Sequence, residues 1–294
     1  MSIWSHRFVA ESRDYLRSLP EQRCAYCSSP LIRWGWREPL EIPAANAWSE
    51  PAAAVCNQCG WWYTTFIVSE SSSPNDLLWR YATAGQLRTL DTNDVTVPLA
   101  ELRRYLMAKR DARFALNPRR FEDLVGGVFS DFGYRVRVTS YSGDKGIDVV
   151  VLDGPSDALI GVQVKRYKNP IEAEQIRAFV GALMLGGYPK GVFVTTSEFR
   201  SGAVDTAARS TALGLPLHLW DGKVFLERLG TSLRPAYTGV DDTSAPFHYY
   251  LRSPESMMLV DSTYYSGSAH GASSSELELY MTQATRARSG AAAT

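Results

Sequence analysis

The stretch GDKGIDVVVL (143–152), followed beyond the turn DGP (153–155) by LIGVQVKRY (159–167), carries the pattern that decides the fold. Both runs are apolar except at a few positions. Side chains alternate between the faces of a strand, so Ile160, Val162 and Val164 share one face and Gly161, Gln163 and Lys165 the other. Asp148 interrupts Ile147–Leu152, whose other residues are apolar. If the two strands pair across the short turn, Asp148 joins Gln163 and Lys165 at the sheet edge. A carboxylate, an amide and an ammonium gathered on a buried sheet are costly unless they serve one another or a metal. Mg²⁺ suits such a set, because it is a hard cation that takes oxygen ligands and keeps several waters. A buried Asp–Lys ion pair closing the sheet is the plainer alternative.

Outward from this hairpin the pattern stays dense over 117–229. Asn117-Pro118 reads as an N-cap followed by proline at the first helical position. Phe121, Leu124, Val125, Val128 and Phe129 then fall on one helical face, and Gly133 stops the helix. A strand is expected over 134–138, then a loop over 140–146, and the two strands quoted above. Asn169-Pro170 opens a second helix that buries Ile176, Phe179, Val180, Leu183 and Met184. A strand over 191–196, a helix over 199–213, a strand over 215–220 and a last short helix complete the order αβββαβαβα, an α/β unit with a mixed sheet.

The stretches FEDL (121–124), GYRV (133–136), GDKGID (143–148), VQVKRY (162–167), IRAFVGA (176–182) and VFVTTS (192–197) with Phe199 resemble the Mrr-type catalytic domain of the PD-(D/E)xK nuclease superfamily. The resemblance covers the nuclease core in order, well under half of the chain. It implies a restriction-endonuclease-like αβββαβ core, with QxK as an accepted variant of ExK. By the same resemblance, Asp148 binds the metal, Gln163 and a neighbouring backbone carbonyl complete the site, and Lys165 orients or activates the attacking water. Glu122 matches the helix glutamate that supports the metal. The implied activity is a DNA endonuclease dependent on Mg²⁺ or Mn²⁺, acting on double-stranded DNA in prokaryotic restriction or anti-phage defence. Two active sites are needed to cut both strands, so a homodimer is the expected working form. The rival readings are a structure-specific nuclease of repair or recombination, and an inactive nuclease fold that only binds DNA or protein.

Before this domain the chain turns basic. Arg103, Arg104, Lys109, Arg110, Arg113, Arg119 and Arg120 face one acid, Asp111, between Leu102 and Arg120. Such a run is either a solvated face or a phosphate contact. Arg119 and Arg120 are candidate nucleic-acid contacts, as are Lys145 in the Gly-flanked loop and Arg166 beside Lys165. Thr195, Thr196 and Ser197 read as an anion-binding strand-to-helix turn or as a simple N-cap.

The N-terminal region carries Cys24-x-x-Cys27 and Cys56-x-x-Cys59, with residues 28–55 between them. Two CxxC turns close a four-cysteine zinc site with every position filled, which makes the zinc structural. Gly60 after the second pair supplies the positive φ of a knuckle. The intervening loop is longer than the usual 15–20 residues or so. Trp34, Trp36, Trp48, Trp61 and Trp62 lie in or beside the ribbon, as a small-module core or as a stacking platform. The four histidines are scattered without ligand-like spacing and read as structural or surface residues.

The expected division is a zinc ribbon with an N-terminal helix (1–70), a helical basic connector (71–116), the nuclease domain (117–230) and a tail (231–294). The connector reading rests on the helical spacing of Leu77, Leu78 and Tyr81 and, further on, of Leu99, Leu102 and Leu106. The tail is rich in Ser, Ala, Gly and Tyr, and reads either as a docking or oligomerisation segment or as a partly disordered one. A protein partner would dock through the ribbon or this tail. Lys+Arg and Asp+Glu tie at 31 each, so net charge alone points to neither nucleic acid nor membrane. The first twenty residues are charged throughout and lack a signal-peptide core, so a cytoplasmic location with reduced cysteines and no membrane partner is expected.

Overall fold

The computed structural model describes residues 3–9, 20, 22–35, 40–42, 47–72, 75–139, 146–153, 158–235 and 237. Contacts divide the chain into two compact units, Ser2–Arg88 with Pro235–Thr294, and Thr89–Arg234 with Met1.

The first unit is an antiparallel sheet of β1 (Trp4–Val9), β2 (Leu31–Gly35), β3 (Leu40–Ile42), β4 (Ala47–Cys56), β5 (Trp62–Ser72) and β6 (Asn75–Leu87). The order is β1-β6-β5-β4-β2, and β3 pairs with the start of β4. One expectation fails here: residues 76–87 are strand rather than helix. Trp4–Val9 are strand β1 paired with β6, and residues 10–19, where the expected N-terminal helix could fall, lie outside the described residues. Leu77, Trp79 and Tyr81 also alternate with period two, so a short apolar run satisfied both templates. Pairing decides between them. Ser72 lies opposite Asn75 and the ladder continues from there to Tyr63 opposite Ala84. Residues 69–72 are the end of β5.

The second unit begins at Thr89, within the segment expected as a helical connector. Helix α1 (Leu99–Ala108) and a 3₁₀ turn (Arg110–Ala115) precede α2 (Pro118–Asp131). Then follow β7 (Arg135–Val138), β8 (Val149–Asp153), β9 (Ala158–Lys165), α3 (Ala173–Gly186), β10 (Lys190–Thr195), α4 (Ser201–Ala212), β11 (Leu217–Trp220) and α5 (Gly222–Ser232). The order matches the expected αβββαβαβα. Strands β7, β8 and β9 pair antiparallel, and β10 and β11 add in parallel, giving a mixed sheet β11-β10-β9-β8-β7.

Asn117 caps α2, its side chain accepting from the Arg119 amide at 2.9 Å. Phe121, Leu124, Val125 and Val128 are wholly buried, as are Val149, Val151 and Val162 on the sheet. Phe121 meets Phe225 of α5 edge-on, with ring centroids 5.0 Å apart. On the other side, Ile147, Val150 and Phe193 pack with Ile176, Phe179 and Leu183 of α3 and Ala203 and Ala207 of α4. Asn169-Pro170 does not open α3. The helix starts three residues later, on a capping box in which the Gln175 side chain accepts from the Glu172 amide at 2.8 Å.

Candidate active site

Asp148 stands immediately before β8, at the point where the β8–β9 ladder gives way to a side chain. Its amide donates to the Val162 carbonyl at 2.9 Å, and its carboxylate Oδ2 accepts the Val164 amide at 2.6 Å. A carboxylate thus does what a backbone carbonyl would do in a continuing strand, and this bond fixes its orientation. The Asp148 carbonyl accepts both the amide and the hydroxyl of Thr139, each at 2.9 Å. Thr139 also donates to the Ile147 carbonyl at 2.9 Å.

Gln163 and Lys165 sit on β9, opposite Phe193 and Thr195 of β10. Val150 pairs with Gly161, so strand alternation puts Asp148 on the same side as Gln163 and Lys165. All three are partly exposed, whereas Val149, Val162 and Val164 between them are buried. The expected alternation of polar and apolar faces therefore holds. Gly146, which ends the loop before Ile147, has φ +84, and a Cβ there would lie 3.7 Å from Gln163 Nε2.

Glu122 comes from α2, on the other side of the sheet, yet its carboxyl responds to Asp148. Burial first and the Asp148 charge second push it above the usual carboxylate range, while the Arg119 guanidinium pulls it down. Arg119 donates to Glu122 Oε2 at 2.9 Å and to the Thr139 carbonyl at 2.6 Å. Two acids that repel each other, beside an amide and an ammonium, have the donor chemistry of a hard divalent-cation site.

The candidate nucleic-acid residues separate. Arg166 is exposed, with one long contact to the Phe114 carbonyl at 3.4 Å. Arg119 is turned to the site itself. Arg120 is a correction: it is 8% exposed and its guanidinium donates to the Val97 carbonyl, so it holds the unit together rather than facing a phosphate. The same holds for much of the basic run. Arg103 is paired with Asp131, and Arg113 Nε donates to the Thr196 carbonyl at 2.9 Å. Lys145 lies outside the described residues. Thr139 was not anticipated; a lone threonine just after a four-residue strand gives no sequence signal.

In the first unit, both CxxC turns are closed in the same way. The Ser28 amide donates to the Cys24 carbonyl at 3.0 Å, and the Gly60 amide to the Cys56 carbonyl at 2.8 Å. The residue after each second cysteine takes positive φ, +77 at Gly60 as expected and +60 at Ser28. The four thiols are buried, and their sulfurs lie within 4.8 Å of one another. Cys24–Cys59 and Cys27–Cys56 separations are 3.5 and 3.3 Å, near the ~3.8 Å spacing of four sulfurs bound tetrahedrally at ~2.3 Å. The group could hold a metal ion. Trp61 and Trp62 are buried beside it, and Trp4 Nε1 donates to the Cys59 carbonyl at 2.9 Å. These are core, not platform. The side chains of Trp34, Trp36 and Trp48 lie outside the described residues.

Residues 114–229 match the restriction endonuclease family model of the Mrr catalytic type. The chain is 38% identical over 98 residues to the type IV methyl-directed restriction enzyme EcoKMrr of Escherichia coli (strain K12), covering 31% of this chain. It spans about a third, 32%, of that relative's length. Among solved structures it is similar to the MspJI restriction endonuclease in complex with a 27-mer oligonucleotide. Identity there is 19%, over 51% of this chain and 36% of that one, with TM-score 0.31. It is also similar to the restriction endonuclease FokI bound to DNA, 16% identical over 56% of this chain and 36% of that one, with TM-score 0.32. Helix α2, the mixed sheet and the Asp148–Gln163–Lys165 edge all lie within residues 114–229, the part of the chain that is similar to restriction endonucleases of the Mrr catalytic type.

Proposed function

We propose that this chain hydrolyses DNA phosphodiester bonds with the help of Mg²⁺ or Mn²⁺, as the nuclease of a restriction or anti-phage system. The observation that carries this reading is the orientation of Asp148, whose carboxylate is held by the Val164 amide between two residues of the QxK strand. Asp148, Gln163 and Glu122 would hold the cation. When bound, it supplies Lewis acidity and lowers the pKa of a coordinated water. Gln163 in place of a carboxylate leaves the cage with fewer negative charges, and Glu122 compensates from α2. Lys165, one alternation beyond Gln163, brings a positive charge toward the attacking water and the phosphate oxygens on which charge builds. Thr139 and Arg119 position the two carboxylates relative to each other.

The four cysteines of the first unit hold a structural zinc in this reading, and double-stranded DNA is the substrate of the second. A homodimer brings the two sites that a double-strand break requires. No helix of the described residues is long and apolar enough to cross a membrane. The test is plasmid cleavage with Mg²⁺ or Mn²⁺. Asp148→Ala and Lys165→Ala are each expected to lower the rate at least about a hundredfold. Variants that cut as fast as the parent chain would remove this site from the chemistry.

A further inference from the structure

Three consecutive hydroxyl residues at the end of β10 are almost wholly buried: Thr195 and Thr196 at 0% exposure and Ser197 at 7%. They neither cap α4, which starts at Ser201, nor face solvent. They tie down the segment that follows Lys165 instead. Thr195 Oγ1 donates to the Lys165 carbonyl at 2.9 Å, Thr196 Oγ1 to the Tyr167 carbonyl at 2.7 Å and Ser197 Oγ to the Lys168 carbonyl at 3.0 Å. Thr196 Oγ1 also accepts the Tyr167 amide at 3.0 Å, and the Thr196 amide donates to the Lys165 carbonyl at 3.2 Å.

The backbone of 165–168 is therefore fastened to the sheet at three of its four carbonyls, while Arg166, Tyr167 and Lys168 are all exposed. A loop that was only a connection would not need three buried hydroxyls. One that must present cations at a fixed distance from Lys165 does, because an exposed side chain on a mobile backbone loses its ordering entropy each time it binds.

We propose that Arg166, Tyr167 and Lys168 form a rigid duplex-binding loop, in which the two cations take phosphates flanking the scissile one and the Thr195–Ser197 hydroxyls hold them in place. This rests on the nuclease reading above. The loop sits at the C-terminal end of β9 and β10, the same end as the site, so a strand whose phosphate lies at Lys165 runs past it. Tyr167, 43% exposed, adds an aromatic surface against the sugar–phosphate backbone.

The test measures binding of a short labelled duplex to the full chain carrying Asp148→Ala, by anisotropy, between about 50 and 200 mM salt. Arg166→Ala and Lys168→Ala are expected to reduce the slope of log affinity against log salt by about 0.9 each. The double variant should bind about tenfold or more weakly at the lower salt. Thr196→Val removes no charge. It should weaken binding several-fold while leaving the slope near that of the parent, with Thr196→Ser restoring affinity. Arg209→Ala, an exposed cation at the far end of α4, is the control and should change nothing. A slope unchanged in Arg166→Ala and Lys168→Ala overturns the proposal, as does an equal loss in Arg209→Ala or the absence of duplex binding. Plasmid cleavage by Asp148→Ala bears on the nuclease reading alone, so the two can fail separately.

Discussion

Glu122 meets two opposed demands. Burial and the nearby Asp148 charge raise its carboxyl, and the Arg119 guanidinium lowers it, with the first pair winning. A carboxyl whose folded pKa exceeds its unfolded value costs stability wherever it is ionised. The cost is fully present above the folded pKa, and it disappears as pH falls below the unfolded one, where both states are protonated. Glu122→Gln is therefore expected to raise the melting temperature of the magnesium-free protein by about 1–2 °C at pH 8, and by nothing measurable near pH 4. Calorimetry at the two pH values checks this. The same variant should lose at least about tenfold in cleavage rate, because a negative charge that costs stability in the free protein is one a divalent cation recovers. Asp148, Gln163 and Lys165 were legible at this scale because each broke an apolar pattern. Thr139 was not, since its partners are backbone carbonyls that no sequence pattern records. Arg119 and Arg120 are adjacent and chemically alike, yet one serves the acids of the site and the other the Val97 carbonyl. Helical geometry, not residue type, separates them.

At the scale of elements, the order of the second unit was readable because its signals agree, although Met184, expected on the buried face of α3, is 70% exposed. An Asn-Pro cap, a run of apolar residues at helical spacing and strands of alternating or wholly apolar character each point to one state. The strand β6 was not, because Leu77, Leu78 and Tyr81 fit a helix while Leu77, Trp79 and Tyr81 fit a strand, and the pairing that decides comes from β5 and β1. The start of α3 moved for a related reason: the capping box of Glu172 and Gln175 prevailed over the Asn169-Pro170 signal. The loop ending at Gly146 joins element and chemistry. Its φ of +84 is disfavoured for any residue with a Cβ, and an added Cβ would also stand 3.4 Å from the Ala182 Cβ on α3. Gly146→Ala should therefore cost about 1–2 kcal/mol in denaturant unfolding. It should also slow cleavage by more than that loss explains, since the displaced backbone leads directly into Ile147 and Asp148. Unfolding and single-turnover cleavage on the same preparation separate the two effects; an unchanged cleavage rate would leave Gly146 a purely conformational residue.

For the whole molecule, the division at Arg88/Thr89 places every cysteine in the first unit and the whole stretch matched by the restriction endonuclease family model in the second. Metal removal should act on one unit only. A chelator, in magnesium-free buffer, is expected to lower one calorimetric transition by about 10 °C or more and to expose four thiols to a colorimetric reagent, leaving the other transition in place. A single transition that ignores the chelator would dissociate the cysteines from any metal. On the proposed reading the second unit carries one Asp148–Gln163–Lys165 set per chain, which would cut one strand at a time, and the two strands of a duplex run in opposite directions. A twofold pair of chains matches that symmetry. Mixing the parent chain with an equal amount of Asp148→Ala, under conditions where subunits exchange, distinguishes this from sequential action by monomers. Random pairing leaves about a quarter of the dimers with two working sites and about half with one. Linear product should form at about a quarter of the original rate while nicked circles accumulate. If monomers act in turn, linear product falls only in proportion to the parent chain, and the share of nicked circles stays that of the unmixed enzyme.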